Sequence, residues 1–471
     1  MIDTAIKFGS IFEVSWEICN KVGGIHTVIS TKTLSLLGNC EELIMVGPDI
    51  WHDSKQHQEF EEDNNLFYNW KKMAEIEGIR VRTGRWKIPG SPRVLLVDFS
   101  NYIDNKDTIL YDFWEEYKLD SLSGQWDYIE PALFGYAVGK VIESFVRFNL
   151  SAYDRVIAQF HEWMTGTGIL YLKKQMPQIA TVFTTHATVV GRCIAGNRYP
   201  LYKDLPATNG DVVASDFNVT PKHSLEKLSA QYADAFSTVS EITAAECRQF
   251  LQKDVDVVTL NGFENNFVPN EKEYAVKRKT AREKYIKVAE ILTGKTYEKE
   301  PLIIATSGRY EMYNKGYDLF IDALGKLNKD TELDREILAY ILVPGNNYGI
   351  KEPLFNHLYN IDGNKNIEDR HLTHNLHDAD TDPIMTLLKK NHLYNRAEDK
   401  VTVIFVPSYL NGNDDIFNLP YYDLLTGIDL TAFVSYYEPW GYTPLESIAF
   451  GIPTITTDLA GFGKWAKGFL K

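Results

Sequence analysis

Short runs of β-branched and aromatic residues alternate with longer amphipathic stretches along the chain. This alternation narrows the possible folds most, because it is the pattern of parallel sheets covered by helices. The runs fall at residues 42–46, 93–99, 154–159, 180–184 and 255–260, and again at 302–307, 337–343, 401–405, 430–435 and 454–456. A chain of 471 residues is too long for one hydrophobic core. Two doubly wound α/β domains, with a cleft between them, therefore fit better than a single barrel. Residues 271–292 are rich in Lys, Arg, Glu and Ala, contain neither Pro nor Gly, and predict a charged helix that Gly294 ends. The boundary is accordingly set near residue 270, giving domains over residues 1–270 and 271–471. Residues 50–75 and 345–380 are polar and poorly patterned and read as surface insertions.

Composition removes several function classes. Hydrophobic residues at 44% and charged residues at 24% describe an ordinary globular chain. No apolar run reaches the roughly 18 residues of a membrane span, and the N-terminus has no signal-peptide pattern. A cytoplasmic address and no membrane partner are expected. Cys19, Cys40, Cys193 and Cys247 are spaced too irregularly for a disulfide framework or a zinc site and read as reduced thiols. A net charge of −15 argues against a nucleic-acid partner. Aromatic residues reach 13%, with 27 Tyr, enough to supply stacking surfaces for sugars or bases beside an aromatic core.

Three segments carry candidate chemistry. In the first, Phe12-Glu13-Val14-Ser15-Trp16-Glu17 leads into Lys21-Val22-Gly23-Gly24-Ile25, a strand, a glycine turn and a helix start. Paired glycines let backbone approach a ligand and first-turn amides favour an anion, to which Lys21 would add a charge; a plain tight turn is the alternative. In the second, Ser307-Gly308-Arg309-Tyr310-Glu311 runs to Asn314-Lys315-Gly316 directly after a predicted strand. Two cations at the carboxyl end of a parallel strand suit a diphosphate leaving group, or are solvated surface charges. The third is Tyr436-Tyr437-Glu438-Pro439-Trp440-Gly441-Tyr442-Thr443-Pro444-Leu445-Glu446-Ser447. Thr443 and Glu446 have the spacing of a capping box, with Pro444 at the first helical position. That helix start could hold a pyrophosphate near Glu438, and Glu446 either caps it or binds ligand. Two further histidines follow predicted parallel strands, in Phe160-His161-Glu162-Trp163 and in Thr184-Thr185-His186-Ala187 with Arg192 nearby, and point to a shared cleft.

Taken together, these segments resemble the glycogen synthases of animals and fungi over nearly the whole chain. The resemblance is carried by Lys21-Val22-Gly23-Gly24, Gln159-Phe160-His161-Glu162-Trp163, Phe183-Thr184-Thr185-His186-Ala187-Thr188, Ser237-Thr238-Val239-Ser240, Gly308-Arg309-Tyr310-Glu311, Thr373-His374-Asn375-Leu376 and the block from Tyr436 to Glu446. It implies two Rossmann-like domains facing across a cleft, the GT-B arrangement. It also implies retaining transfer of glucose from UDP-glucose or ADP-glucose to the 4-hydroxyl end of an α-1,4-glucan. Arg309 and Lys315 would hold the donor diphosphate, helped by amides of Gly441, Tyr442 and Thr443. Glu438 would contact the transferred glucose, Glu446 the ribose, and Tyr421 would stack on the base. His161 would sit beside the glucose and steady its positive charge, with His186 and Arg192 lining the same pocket. No cofactor or metal is expected, glycogen is the expected partner, and a homo-oligomer is possible.

The chain departs from that family in several places. Lys21 stands where animal and fungal members have Arg, which keeps a charge but loses bidentate phosphate contact. The segment at 345–380 is shorter than the one that supports their tetramer. No phosphorylated N-terminal extension, no arginine-rich helix for glucose 6-phosphate and no helices returning to the first domain are found up to Lys471. An incomplete protein or an unusually short enzyme both fit, and sugar-phosphate activation is not expected. A catalytically weak glucan-binding scaffold and a phosphorylase-like enzyme with pyridoxal phosphate are the competing functions.

Overall fold

A computed structural model describes residues 8–50 and 59–469. The chain divides into two compact units, one from the start to Ile194 and Tyr199–Gly262, the other from Phe263 onward together with Ala195–Arg198.

The first unit is built on β1 (Phe8–Val14), β2 (Cys40–Pro48), β3 (Phe60–Glu62), β4 (Arg80–Trp86), β5 (Arg93–Asp98), β6 (Val156–His161), β7 (Ala180–Thr185), β8 (Ala235–Thr238) and β9 (Val257–Val258). Their order is β3-β4-β5-β2-β1-β6-β7-β8-β9. The ladders from β5 through β9 are parallel, and β3 and β4 add an antiparallel edge. The chain winds outward from β1 through β2, then restarts on the other side with β6, so the topological switch lies between β1 and β6.

The second unit is built on β10 (Leu302–Ser307), β11 (Ile337–Leu342), β14 (Val401–Val406), β15 (Leu430–Phe433) and β16 (Thr454–Thr456), in the order β14-β11-β10-β15-β16 and all parallel. β12 (Asn347–Ile350) and β13 (His374–Leu376) form a separate antiparallel pair. Every residue of β11 and β14 is buried, as continuous apolar runs covered on both faces by helices require. Here the switch lies between β10 and β15. The charged helix spans Glu271–Thr293, capped by the Asn270 side chain and ended by Gly294 in the left-handed region.

Both predicted insertions are more structured than their polarity suggests. Of residues 50–75, those at 51–58 lie outside the described residues. The remainder supplies β3 and most of the helix Tyr68–Ile76, which buries Trp70 against Ser144. Residues 345–380 contain β12, β13 and the helix Glu352–Leu358, and they bury Leu354, Leu372, Thr373, His374 and Leu376. In both stretches a few buried apolar side chains anchor segments whose remaining residues face solvent, and averaged polarity hides that. The predicted strand at 255–260 shrinks to the two residues of β9.

Candidate active site

In open α/β sheets, ligands sit beyond the carboxyl ends of the strands at the topological switch. In the first unit the ends of β1, β6 and β7 carry Glu13, His161 and His186. Glu13 is fully buried, its Oε1 pairing with Lys32 from the helix Gly24–Asn39 and lying 2.5 Å from His161 Nε2. His161 Nδ1 lies 2.8 Å from His186 Nε2. His161 is therefore 1% exposed with both ring nitrogens engaged, while His186 keeps 8% of its surface. Both rings are thus buried, and His186 is the less enclosed of the pair.

At the glycine turn the chain supplies an anion of its own. Gly23 caps the helix Gly24–Asn39, but its amide donates to Glu17 Oε2 at 2.7 Å and the His26 amide donates to the same oxygen at 2.9 Å. The anion at this helix start is the chain's own Glu17 carboxylate, and Lys21 and Gly24 are exposed beside it. Arg192 lies in the helix Val189–Gly196, close enough to Glu162 to oppose its protonation.

Glu162 was legible only as part of a motif. It adopts φ 67°, a strained region for a residue with a side chain, and its Oε1 accepts the His186 amide at 2.9 Å. Packing of its carboxyl inside the unit pushes its pKa up to about 7, against the lowering pull of Arg192. The signal that could have singled it out is a carboxylate directly after a histidine at a strand end.

In the second unit the switch between β10 and β15 gathers the other predicted residues. Arg309 and Lys315 follow β10, and Glu438 and Gly441 follow β15. Lys315 Nζ pairs with the Glu438 carboxylate, and Arg309 pairs with Glu311 at 2.9 Å. The Arg309 main-chain carbonyl accepts from the Tyr317 hydroxyl at 2.9 Å, which steadies the turn between the two cations. Tyr421 stands beside the end of β10, its hydroxyl 2.9 Å from Ser307 Oγ. Glu446 Oε1 accepts from Tyr422 at 2.9 Å.

The helix at this site spans Tyr442–Ala449 with Gly441 as its cap, at φ 107°, and no side chain caps it. The capping box is therefore not formed, because Glu446 turns to Tyr422, and Pro444 is the third helical residue. Its missing N–H still falls in the first turn, where no intrahelical partner exists. Amides of Tyr442 and Thr443 remain at a helix start, next to two cations and a carboxylate. Among the described residues no group of three or more His, Cys, Asp or Glu side chains is arranged to hold a metal ion.

A family model described as glycogen synthase matches residues 13–352 and 366–471. The liver glycogen [starch] synthase of Rattus norvegicus is 31% identical over 511 residues, covering 96% of this chain and 72% of that protein. The glycogen [starch] synthase of Caenorhabditis elegans is 31% identical over 517 residues, covering 96% and 76%. Among solved structures, the catalytic domain of starch synthase IV from Arabidopsis thaliana, bound to ADP and acarbose, aligns with a TM-score of 0.52 at 14% identity, covering 97% of this chain and 84% of that one. That likeness concerns the fold alone, and the fold is the GT-B class with a Rossmann-like sheet in each unit.

Proposed function

The chain belongs to the glycogen synthase family of glycosyltransferases, and on that premise we propose how its residues divide the transfer of glucose from a nucleotide-diphosphate sugar to the 4-hydroxyl end of an α-1,4-glucan. Arg309, Lys315 and the amides of Gly441, Tyr442 and Thr443 hold the diphosphate. Tyr421 stacks on the base and Glu446 bonds the ribose, with Tyr422 fixing its carboxylate. Glu438 contacts the glucose, and Lys21, His186 and Arg192 serve the sugar from the first unit. The observation that most supports this reading is the convergence of Arg309, Lys315 and Glu438 at the switch of the second sheet, beside a helix start.

The chemistry follows from where charge develops. Breaking the bond between C1 and the phosphate oxygen leaves negative charge on the diphosphate and positive charge on the ring. Fixed cations and amides at one end and acceptors at the other stabilise that separation. The acceptor hydroxyl attacks C1 on the face the diphosphate leaves, a phosphate oxygen takes its proton, and the new bond keeps the α configuration. This reading assigns no covalent protein nucleophile, cofactor or metal to the step. UDP-glucose and ADP-glucose both suit it, glycogen is the acceptor, and the cytosol is the place of action. No helix among the described residues is long and apolar enough to cross a membrane.

The test is elongation of glycogen by the purified protein with each labelled donor. Arg309→Ala and Glu438→Gln are each expected to lower turnover by about 10³-fold with the preferred donor. Elongation untouched by either change would remove the site assignment, and none with any donor would favour a glucan-binding scaffold.

A further inference from the structure

The first unit contains a hydrogen-bond chain whose order bears on where each proton sits. It runs from Lys32 and Glu13 through His161 to His186, across the ends of the neighbouring strands β1, β6 and β7. Burial pushes the Glu13 carboxyl up, but the Lys32 charge and the hydrogen bonds from His161 and Lys32 more than offset it and hold the group below the usual carboxylate range. An ionised carboxylate accepts and cannot donate. In the 2.5 Å contact, the hydrogen therefore belongs to His161 Nε2. Lys32 Nζ is 3.3 Å from the same nitrogen, too long to displace that bond.

The rest of the chain follows by elimination. Burial, then the Lys32 charge, lowers the His161 pKa despite Glu13, so the ring carries one proton and Nδ1 is bare. Nδ1 must then accept from His186 Nε2–H across 2.8 Å. Burial, with His161 next, keeps His186 well below the usual histidine range. Its remaining nitrogen, Nδ1, is a bare acceptor with no protein partner among the described residues.

We propose that Glu13 is a positioning residue which, braced by Lys32, locks His161 and His186 as a matched pair of Nε2–H tautomers, so that His186 presents Nδ1 to the sugar as a hydrogen-bond acceptor. This rests on the reading that the first unit serves the transferred glucose. The arrangement suits the step, because an imidazolium would oppose the positive charge growing on the ring, whereas a neutral acceptor orients a sugar hydroxyl without adding charge. His161 then acts through His186. A charged residue within the buried run Ile11-Phe12-Glu13-Val14 also gains a reason to be there.

The test reads tautomers directly, by one-bond and two-bond proton–nitrogen correlations on the whole protein with ¹⁵N-labelled histidine, assigned with single His→Gln variants. In the unsubstituted protein both rings are expected to show a protonated Nε2 and a bare Nδ1, unchanged between about pH 8 and pH 7. A protonated Nδ1 on either ring, or titration in that window, would overturn the proposal. Glu13→Gln is expected to populate a second tautomer and to lower kcat by about 100-fold with the donor KM within about twofold. Loss of kcat with both tautomers unchanged would mean a merely structural Glu13, which also refutes it. If Arg309→Ala abolishes elongation while Glu13→Gln changes neither tautomer nor turnover, this proposal fails and the donor site stands. If Arg309→Ala has no effect, the donor site fails, and the tautomers of the unsubstituted protein still decide here.

Discussion

Glu162, Glu226 and Glu246 lie together inside the first unit and grip the segment that carries His186. Glu226 accepts from Thr185 Oγ1 at 2.7 Å and the Val189 amide at 3.0 Å, and Glu246 accepts from Thr188 Oγ1 at 2.5 Å. Burial, reinforced by the Glu162 charge, pushes Glu226 up to about 8, so it is protonated in the folded protein at neutral pH. An acid whose folded pKa lies above its unfolded value gives stability that is complete below the unfolded pKa and is lost as pH rises through the folded one. Thermal stability of the first unit is therefore expected to fall between about pH 4.5 and pH 8. Glu226→Gln, which mimics the protonated form, is expected to flatten that fall and raise Tm near pH 8 by on the order of 5 °C. A Tm profile identical in the variant would show that Glu226 is ionised throughout. This carboxylate cluster was invisible in the sequence because its members are distant along the chain. Arg309, Lys315 and Glu438 were legible because strand ends and a glycine turn lie within a few residues of each. Glu13 and Lys32 were overlooked, although a carboxylate inside an apolar strand is itself a signal that something pairs with it.

The elements that read cleanly are those whose pattern has one physical solution. β10, β11 and β14 are continuous apolar runs bounded by turns, and the helix Glu271–Thr293 has a side-chain cap at one end and a glycine at the other. β3, β4 and β12 eluded the pattern because edge or short antiparallel strands mix charge with apolar residues and their pairing partners decide them. The capping box failed for a different reason. Spacing allowed it, but the Gly441 turn at φ 107° set the helix entry and a tyrosine offered Glu446 a better partner. Gly316 shows how tightly such a turn can be specified. It sits at φ 68° just before the helix Tyr317–Asn328, and a Cβ there would lie 2.0 Å from the Val434 carbonyl oxygen. Gly316→Ala is therefore expected to cost about 2–4 kcal/mol in urea unfolding, from both strain and backbone collision. Because Lys315 precedes it, donor binding by calorimetry is expected to weaken at least about tenfold. Unchanged stability would mean that the turn yields easily, and unchanged donor affinity would separate Lys315 from the diphosphate.

Length alone implied more than one core, and each unit has buried clusters of its own. Which long-range polar contacts hold each unit together could not be read from the chain. In the second unit one such contact is Arg282, a nearly buried cation on a helix whose charges otherwise look solvated. Its guanidinium donates to Asp429 at 2.8 Å, to the carbonyls of Gly427 at 3.1 Å and Pro301 at 3.2 Å, and to Glu300 at 2.5 Å. Asp429 also accepts the Ile303 amide at 2.9 Å, so one side chain ties the entries of β10 and β15, whose far ends carry the proposed donor residues. Removing it leaves two carbonyls and part of a carboxylate without partners, which costs about 3 kcal/mol. Arg282→Ala is expected to speed hydrogen exchange of the β10, β11 and β14 amides by about 100-fold while β1, β6 and β7 keep their protection, because those strands draw on the other core. Equal loss of protection in both sets would mean that the two cores open as one cooperative unit and that stability here belongs to the whole chain.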